Sequence, residues 1–123
     1  MSTIDPAAQE EMQKYEKLQE EQYRSDLKTV METPQGRRVL YRVVFQLAAV
    51  ESLSYTGSSE QTFFREGRRD VGISLMRELQ DELPEQYLTM LSEAVLEAAK
   101  QTQRIKRIKE DANARADGPG NDD

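Results

Sequence analysis

Thr33-Pro34-Gln35-Gly36-Arg37-Arg38-Val39-Leu40-Tyr41-Arg42-Val43-Val44-Phe45-Gln46-Leu47-Ala48 sets the architecture of this chain. The threonine offers a side-chain oxygen to the orphan amides of a first helical turn, and the proline, whose missing N–H costs nothing there, pre-sets its backbone angle. The same proline disfavours helix in the residue before it, so one helix ends at this point and another begins. At about 100° per residue, Leu40, Val43, Val44, Leu47 and Ala48 fall on one broad arc, widened by Tyr41 and Phe45. Only Arg38, Arg42 and Gln46 form a polar strip. This segment, expected to reach about Val50, is the central helix of an all-α domain of about four helices.

Upstream, residues 5 to 32 carry helix formers behind Pro6, which suits a first turn. Apolar residues become regular only at Tyr23, Leu27, Val30 and Met31. The end of this helix is therefore expected to dock, and the part from Glu10 to Glu21 to be solvated. Residues 1 to 32 hold eight acids against four bases, and residues 34 to 57 hold three arginines against one glutamate. Charge is segregated along the chain.

Downstream, Ser54 to Ser59 has loop composition, and Ser58 with Gln61 fits a capping box for a third helix reaching Leu83. Phe64, Val71, Leu75, Leu79 and Leu83 share a face of that helix, with Met76 at its edge. Gly36, Gly67 and Gly72 are expected to mark close packing, because a glycine inside a helix costs roughly 1 kcal/mol without such a reason. Pro84 starts a fourth helix over residues 84 to 112. Its Leu88, Leu91, Val95, Ala98, Thr102 and Ile105, with Ile108 nearby, follow a coiled-coil-like 4-3 spacing that can bury a partner helix. Arg104, Lys106, Arg107 and Lys109 make its end basic, in keeping with the helix dipole. The expected organisation is a polar helical N-terminal extension (1–24), a helical domain (25–93), an amphipathic C-terminal helix extension (94–112) and a disordered acidic tail (113–123).

The chain has 123 residues, of which 37% are hydrophobic and 33% charged, so its core must be modest. It contains neither cysteine nor histidine. That removes disulfides, thiolate chemistry, the usual zinc ligands and the commonest general base together. A net charge of -6 opposes binding to a polyanion unless a basic patch is locally concentrated. The N-terminus lacks the basic flank and apolar run of a signal peptide, and no stretch has the length to span a bilayer, so a cytoplasm is the expected compartment. No enzymatic activity, cofactor or metal is expected.

The tripeptide Gly-Arg-Arg occurs twice, at residues 36–38 and 67–69. Helical placement puts Arg37 among Leu40, Val44 and Ala48, and Arg68 among Phe64, Val71 and Leu75. These two are expected to be structural arginines, paired with a carboxylate such as Asp26, Glu32 or Glu51, because an unpaired buried charge costs several kcal/mol. Arg38 and Arg69 lie at the apolar border and, with Phe63, Arg104 and Arg107, are candidates for partner binding. The aromatic group Tyr55, Phe63 and Phe64 is expected chiefly to be core, with a partner pocket as the alternative. Glu93 and Glu97 fit a solvated helical face better than a metal site or an acid–base pair.

The series Asp26-Leu27, Val30-Met31, Thr33 to Leu40, Phe63 to Arg69 and Val71-Gly72, continued by Leu75-Met76, Pro84 to Tyr87 and Met90, resembles a known family over about residues 25 to 93. It is the small phage-encoded domain typified in a Bordetella podovirus and widespread in tailed phages. The resemblance implies a role in the virion or its assembly without a defined biochemical activity. The expected function is therefore a non-enzymatic virion-associated protein, whether internal, ejection-associated or part of head–tail assembly, acting on other virion proteins. Homo-oligomerisation through the C-terminal helix is a further expectation. The alternatives are nucleic-acid binding through the arginine pairs and, last, a carboxylate hydrolase using Glu66 or Glu93.

Overall fold

The structure, a computed structural model, describes residues 4–49 and 57–118. Four α-helices follow in order: α1 (Pro6–Met31), α2 (Pro34–Tyr41), α3 (Ser59–Glu82) and α4 (Pro84–Ala116), with a π-helical stretch, Arg42–Leu47, extending α2. No strand occurs among the described residues, and the protein is all-α. The expected partner Glu51, the aromatic Tyr55, the proposed helix end at Val50 and the last five residues of the acidic tail lie outside the described residues.

The break between α1 and α2 follows directly from its residues. Thr33 Oγ1 accepts the Gly36 amide at 3.0 Å and donates to the Val30 carbonyl at 3.1 Å, so one hydroxyl serves both helix ends. A Cβ at position 36 would overlap the Val30 carbonyl oxygen. Glycine is thus what lets α2 leave α1 at so tight a corner.

The core forms where three helix ends meet. Leu27 and Met31 of α1 pack with Leu79 of α3, with Leu83 at the α3–α4 junction, and with Tyr87 and Met90 of α4. Leu40 and Tyr41 of α2 and Phe45 of the π stretch close over them. A second small cluster joins Val44 and Ala48 to Ile73, Leu75 and Met76 of α3. Fixing this junction leaves long helical halves uncovered: residues 9–26 of α1 and 95–116 of α4 are exposed throughout.

Three features differ from the sequence-based expectation. Regular α-helix gives way at Arg42 to π turns, seen in the i+5 bond from the Ala48 amide to the Val43 carbonyl at 2.8 Å. A π turn advances less per residue than an α turn. Val44 and Ala48 therefore stay on one face and are buried, whereas Leu47 swings off the expected arc and is exposed. The segment ends at Ala49, whose positive φ of 53° is uncommon for a residue with a Cβ.

On α3 the inner face is rotated in its first half. Gly72 is buried and Ile73 and Met76 face the π stretch, while Phe64 and Val71 are 70% and 69% exposed. Leu75, Leu79 and Leu83 pack inward as expected, with Met76 beside them, and only Phe64 and Val71 of the expected face stand in solvent. On α4, Leu83, Tyr87 and Met90 make the inner stripe, continued by half-buried Ala94, and the predicted 4-3 seam lies open at Leu88, Val95 and Ile105. Helix α4 also continues to Ala116, so residues 113–116, expected in a disordered tail, are helical.

The two Gly-Arg-Arg glycines are consequently unequal. A Cβ at Gly67 would meet nothing within 4 Å, so the expected close packing there is absent. Gly36→Ala should lower stability by roughly 1–3 kcal/mol through steric displacement at the corner. Gly67→Ala should raise it by up to about 1 kcal/mol through helix propensity. Urea denaturation of the two variants measures both, and a matching loss at each position would refute the distinction.

Candidate protein-binding groove

Arg37 stands on the first full turn of α2, where the corner at Gly36 directs it back toward α1 and α4. Its Nε and Nη2 both meet Glu93 Oε1, at 2.8 Å and 2.7 Å, and its Nη1 donates to the Met31 carbonyl at 2.9 Å. The guanidinium is 12% exposed, and Glu93 about one-third. One side chain thereby ties the last turn of α1, the start of α2 and the middle of α4. The partner is neither Asp26 nor Glu32. Glu93, expected on a solvated face, lies three residues beyond buried Met90 and so at the edge of the inner stripe of α4.

The second arginine pair inverts the expected division. Arg68 is exposed, its guanidinium 5.8 Å from the ring centre of Phe64, so it is not an internal clamp. Arg69 is half-buried and has an interaction partner within the chain, so it is the less exposed of the two. Both corrections come from the rotated inner face of α3, which moves position 68 outward and 69 inward. Phe63 is 74% exposed and Phe64 also stands in solvent, in place of the expected core.

Beside the Arg37 clamp, α2 and the π stretch run along α4 and enclose a groove of about 580 Å³. Arg38, Arg42 and Gln46, the polar strip of the sequence, form one wall; Glu97, Lys100 and Gln101 belong to the other. Between them lie Tyr41, Met90, Ala94, Leu96 and Ala98. The Tyr41 ring is held against Phe45, with ring centres 4.9 Å apart. Arg38, Arg42 and Lys100 have no ion-pair partner among the described residues. An apolar floor whose rims carry more cations than carboxylates is suited to an amphipathic helix carrying carboxylates. Arg104 and Arg107 lie exposed further along α4, and Arg104 makes a loose 3.9 Å pair with Glu97. Among the described residues no three carboxylates are gathered as a metal site would need.

On the far side of the core, Tyr23 fixes α1 to α3. Its hydroxyl donates to Glu78 Oε2 at 2.7 Å, next to an exposed Arg24–Glu82 pair at 3.8 Å. Burial, the hydrogen bond to Glu78 and that carboxylate's charge push the Tyr23 hydroxyl up from 10.0 to about 12.

Fold and site together define a small all-α protein with a charged interhelical groove and two largely uncovered helices. The sequence matches the Bbp19-like phage protein family over residues 27–92, and the chain belongs to that family. The matched region contains the Thr33–Pro34 corner and Arg37, and ends one residue before Glu93. Neither the curated proteins nor the solved structures yield a match to the chain. No described helix is long and apolar enough to cross a membrane.

Two measurements probe the site's supports. Arg37→Met should cost about 2–4 kcal/mol, because a largely buried carboxylate partner and a helix-end carbonyl lose their donor. Arg38→Ala should change stability by less than about 0.5 kcal/mol. A double-mutant cycle with Glu93→Gln should give clear coupling for Arg37, and coupling near zero would refute the clamp.

For Tyr23, the folded state favours the neutral phenol, so the contact's stabilisation is complete below about pH 10 and is lost as pH rises through about 12. In a spectrophotometric titration one of the five tyrosines should ionise last, and Tyr23→Phe should remove that step.

Proposed function

We propose that this phage protein is non-enzymatic and acts through protein–protein contacts in the virion or during its assembly, as an internal, ejection-associated or head–tail component. The observation that carries this reading is the division of the molecule. A small clamped junction holds two long helices whose outer stretches, residues 9–26 and 95–116, are exposed. Leu88, Val95, Leu96, Ile105 and Ile108 of α4 are each more than half exposed, in a chain belonging to a phage protein family. Unpaired apolar helix faces of this extent fit partner helices better than solvent. Other virion proteins are the proposed partners, and self-association through α4 belongs to the same reading.

Nucleic acid is the less favoured partner. The groove's cations are interspersed with Glu93 and Glu97, and the chain's net charge is -6. A polyanion would meet repulsion on most sides.

Peptide mass spectrometry of purified mature particles tests the virion role. The chain should be recovered at a constant stoichiometry relative to the major virion proteins. Its absence from mature particles, with abundance in infected cells, would remove the virion role and leave only a transient part in assembly.

A further inference from the structure

The groove between α2 and α4 has a matching ligand within this same sequence. On the exposed half of α1, Ala8, Met12 and Tyr15 fall on one stripe at helical spacing, with Leu18 at its border. Met12, Tyr15 and Leu18 are 51%, 62% and 64% exposed, each more than half uncovered by the described residues. Glu16 and Glu20 flank the stripe on one side and Glu11 on the other. Residues 5–22 hold six acids against two bases, Lys14 and Lys17.

The groove is lined by more cations than carboxylates: Glu93 is held by Arg37, and Arg38, Arg42 and Lys100 outnumber Glu97 around Tyr41, Ala94 and Ala98. Beyond it, Arg104, Lys106, Arg107 and Lys109 continue the positive character of α4. The dimensions agree as well. Residues 6–22 span about 25 Å of helix; the groove's lining on α4, from Met90 to Gln101, spans about 17 Å, and the basic stretch to Arg107 extends that path to about 25 Å.

The occupant cannot be the same chain's α1. That helix runs unbroken from Pro6 to Met31, without an internal proline or glycine, and its end is anchored by buried Leu27 and Met31. Bringing its first half back to the groove would require breaking the helix. A second copy meets no such constraint. Reciprocal exchange of the two α1 halves would close a two-fold dimer with two identical interfaces.

We infer that the acidic first half of α1 docks in the α2–α4 groove of a second copy, its carboxylates against Arg38, Arg42 and Lys100 and its Met12–Tyr15 stripe against the apolar floor. This deepens the proposal above and rests on its reading that the chain works through protein contacts. It assigns the groove one ligand class, an amphipathic acidic helix, and gives the polar N-terminal segment a role.

The test uses the full chain in light scattering and sedimentation over a concentration series at low and high salt. Two charge-reversed variants are compared with it: Arg38→Glu with Arg42→Glu, and Glu16→Lys with Glu20→Lys. All four positions are exposed, so at concentrations low enough to leave the parent monomeric the circular dichroism melts should match, which separates loss of association from loss of fold. The parent should dimerise, more weakly at high salt. Each variant alone should lose at least tenfold in association constant. Mixing the two should restore heterodimers, because every interface in the mixed pair is either native or reversed on both sides.

A parent chain that stays monomeric overturns the inference. So does a dimer that both variants form undiminished, as pairing through the open α4 seam would produce, or a mixture that fails to recover. Binding of a single-stranded oligonucleotide by the parent through Arg38 and Arg42, without dimerisation, would assign the groove to nucleic acid instead. Failure here is distinguishable from failure of the virion role, since recovery of the chain from particles does not depend on how it self-associates.

Discussion

The Arg37 guanidinium is the contact on which the rest of this fold depends. A charge so nearly buried is tolerable only if its donors are satisfied, and here the acceptors come from two other helices: the Met31 carbonyl that ends α1 and the Glu93 carboxylate of α4. Each acceptor would otherwise be a liability, one an orphan carbonyl at a helix end and the other a carboxylate at the edge of an apolar stripe. Helix α2 has only eight residues before the π stretch and would not persist by itself. Its position follows from the Gly36 corner on one side and the Arg37 clamp on the other. The groove owes its shape to the same two constraints, since Arg38, Tyr41 and Arg42 are carried on α2 and its immediate extension.

The distribution of burial explains why such a protein would work through surfaces. Among the described residues the most completely enclosed side chains are few: Met31, Leu79 and Met90 at the junction of α1, α3 and α4, and Val44 of the π stretch against α3. A core this small can hold a junction but cannot cover a 26-residue and a 33-residue helix. The helices outlast the core, and their outer halves are left with amphipathic faces and opposite charge, acidic on α1 and basic on α4. Carboxylates near one helix and guanidinium groups near the other give association a direction that apolar contact alone lacks.

Much of this was legible in the sequence because it is governed by local rules. Thr33-Pro34 and Pro84 specify helix boundaries through backbone sterics, and the structure places α2 and α4 from those prolines. Placing Arg37 among Leu40, Val44 and Ala48 was sufficient to turn its guanidinium inward. Its partner was not legible, because Glu93 is 56 residues away and looks like any exposed helical glutamate until Tyr87, Met90 and Ala94 are recognised as the inner stripe of α4. The inward placement expected for Arg68 failed for a related reason. Phe64 and Val71 dominated the apparent apolar face, whereas burial follows Gly72 and Ile73, and a glycine contributes nothing to a hydrophobic pattern. The π stretch was equally hidden, since Arg42 to Leu47 reads as an ordinary helical sequence. The groove was half visible, as the strip of Arg38, Arg42 and Gln46, but the residues facing that strip belong to tertiary packing.

Amide hydrogen exchange on the parent and on Arg37→Met tests most directly whether one clamp organises the junction. If it does, the variant should lose protection together at the end of α1, throughout α2 and around Glu93 in α4, by roughly 30-fold or more for a loss of about 2 kcal/mol. Unchanged protection in all three segments, or a loss restricted to α2, would contradict the account.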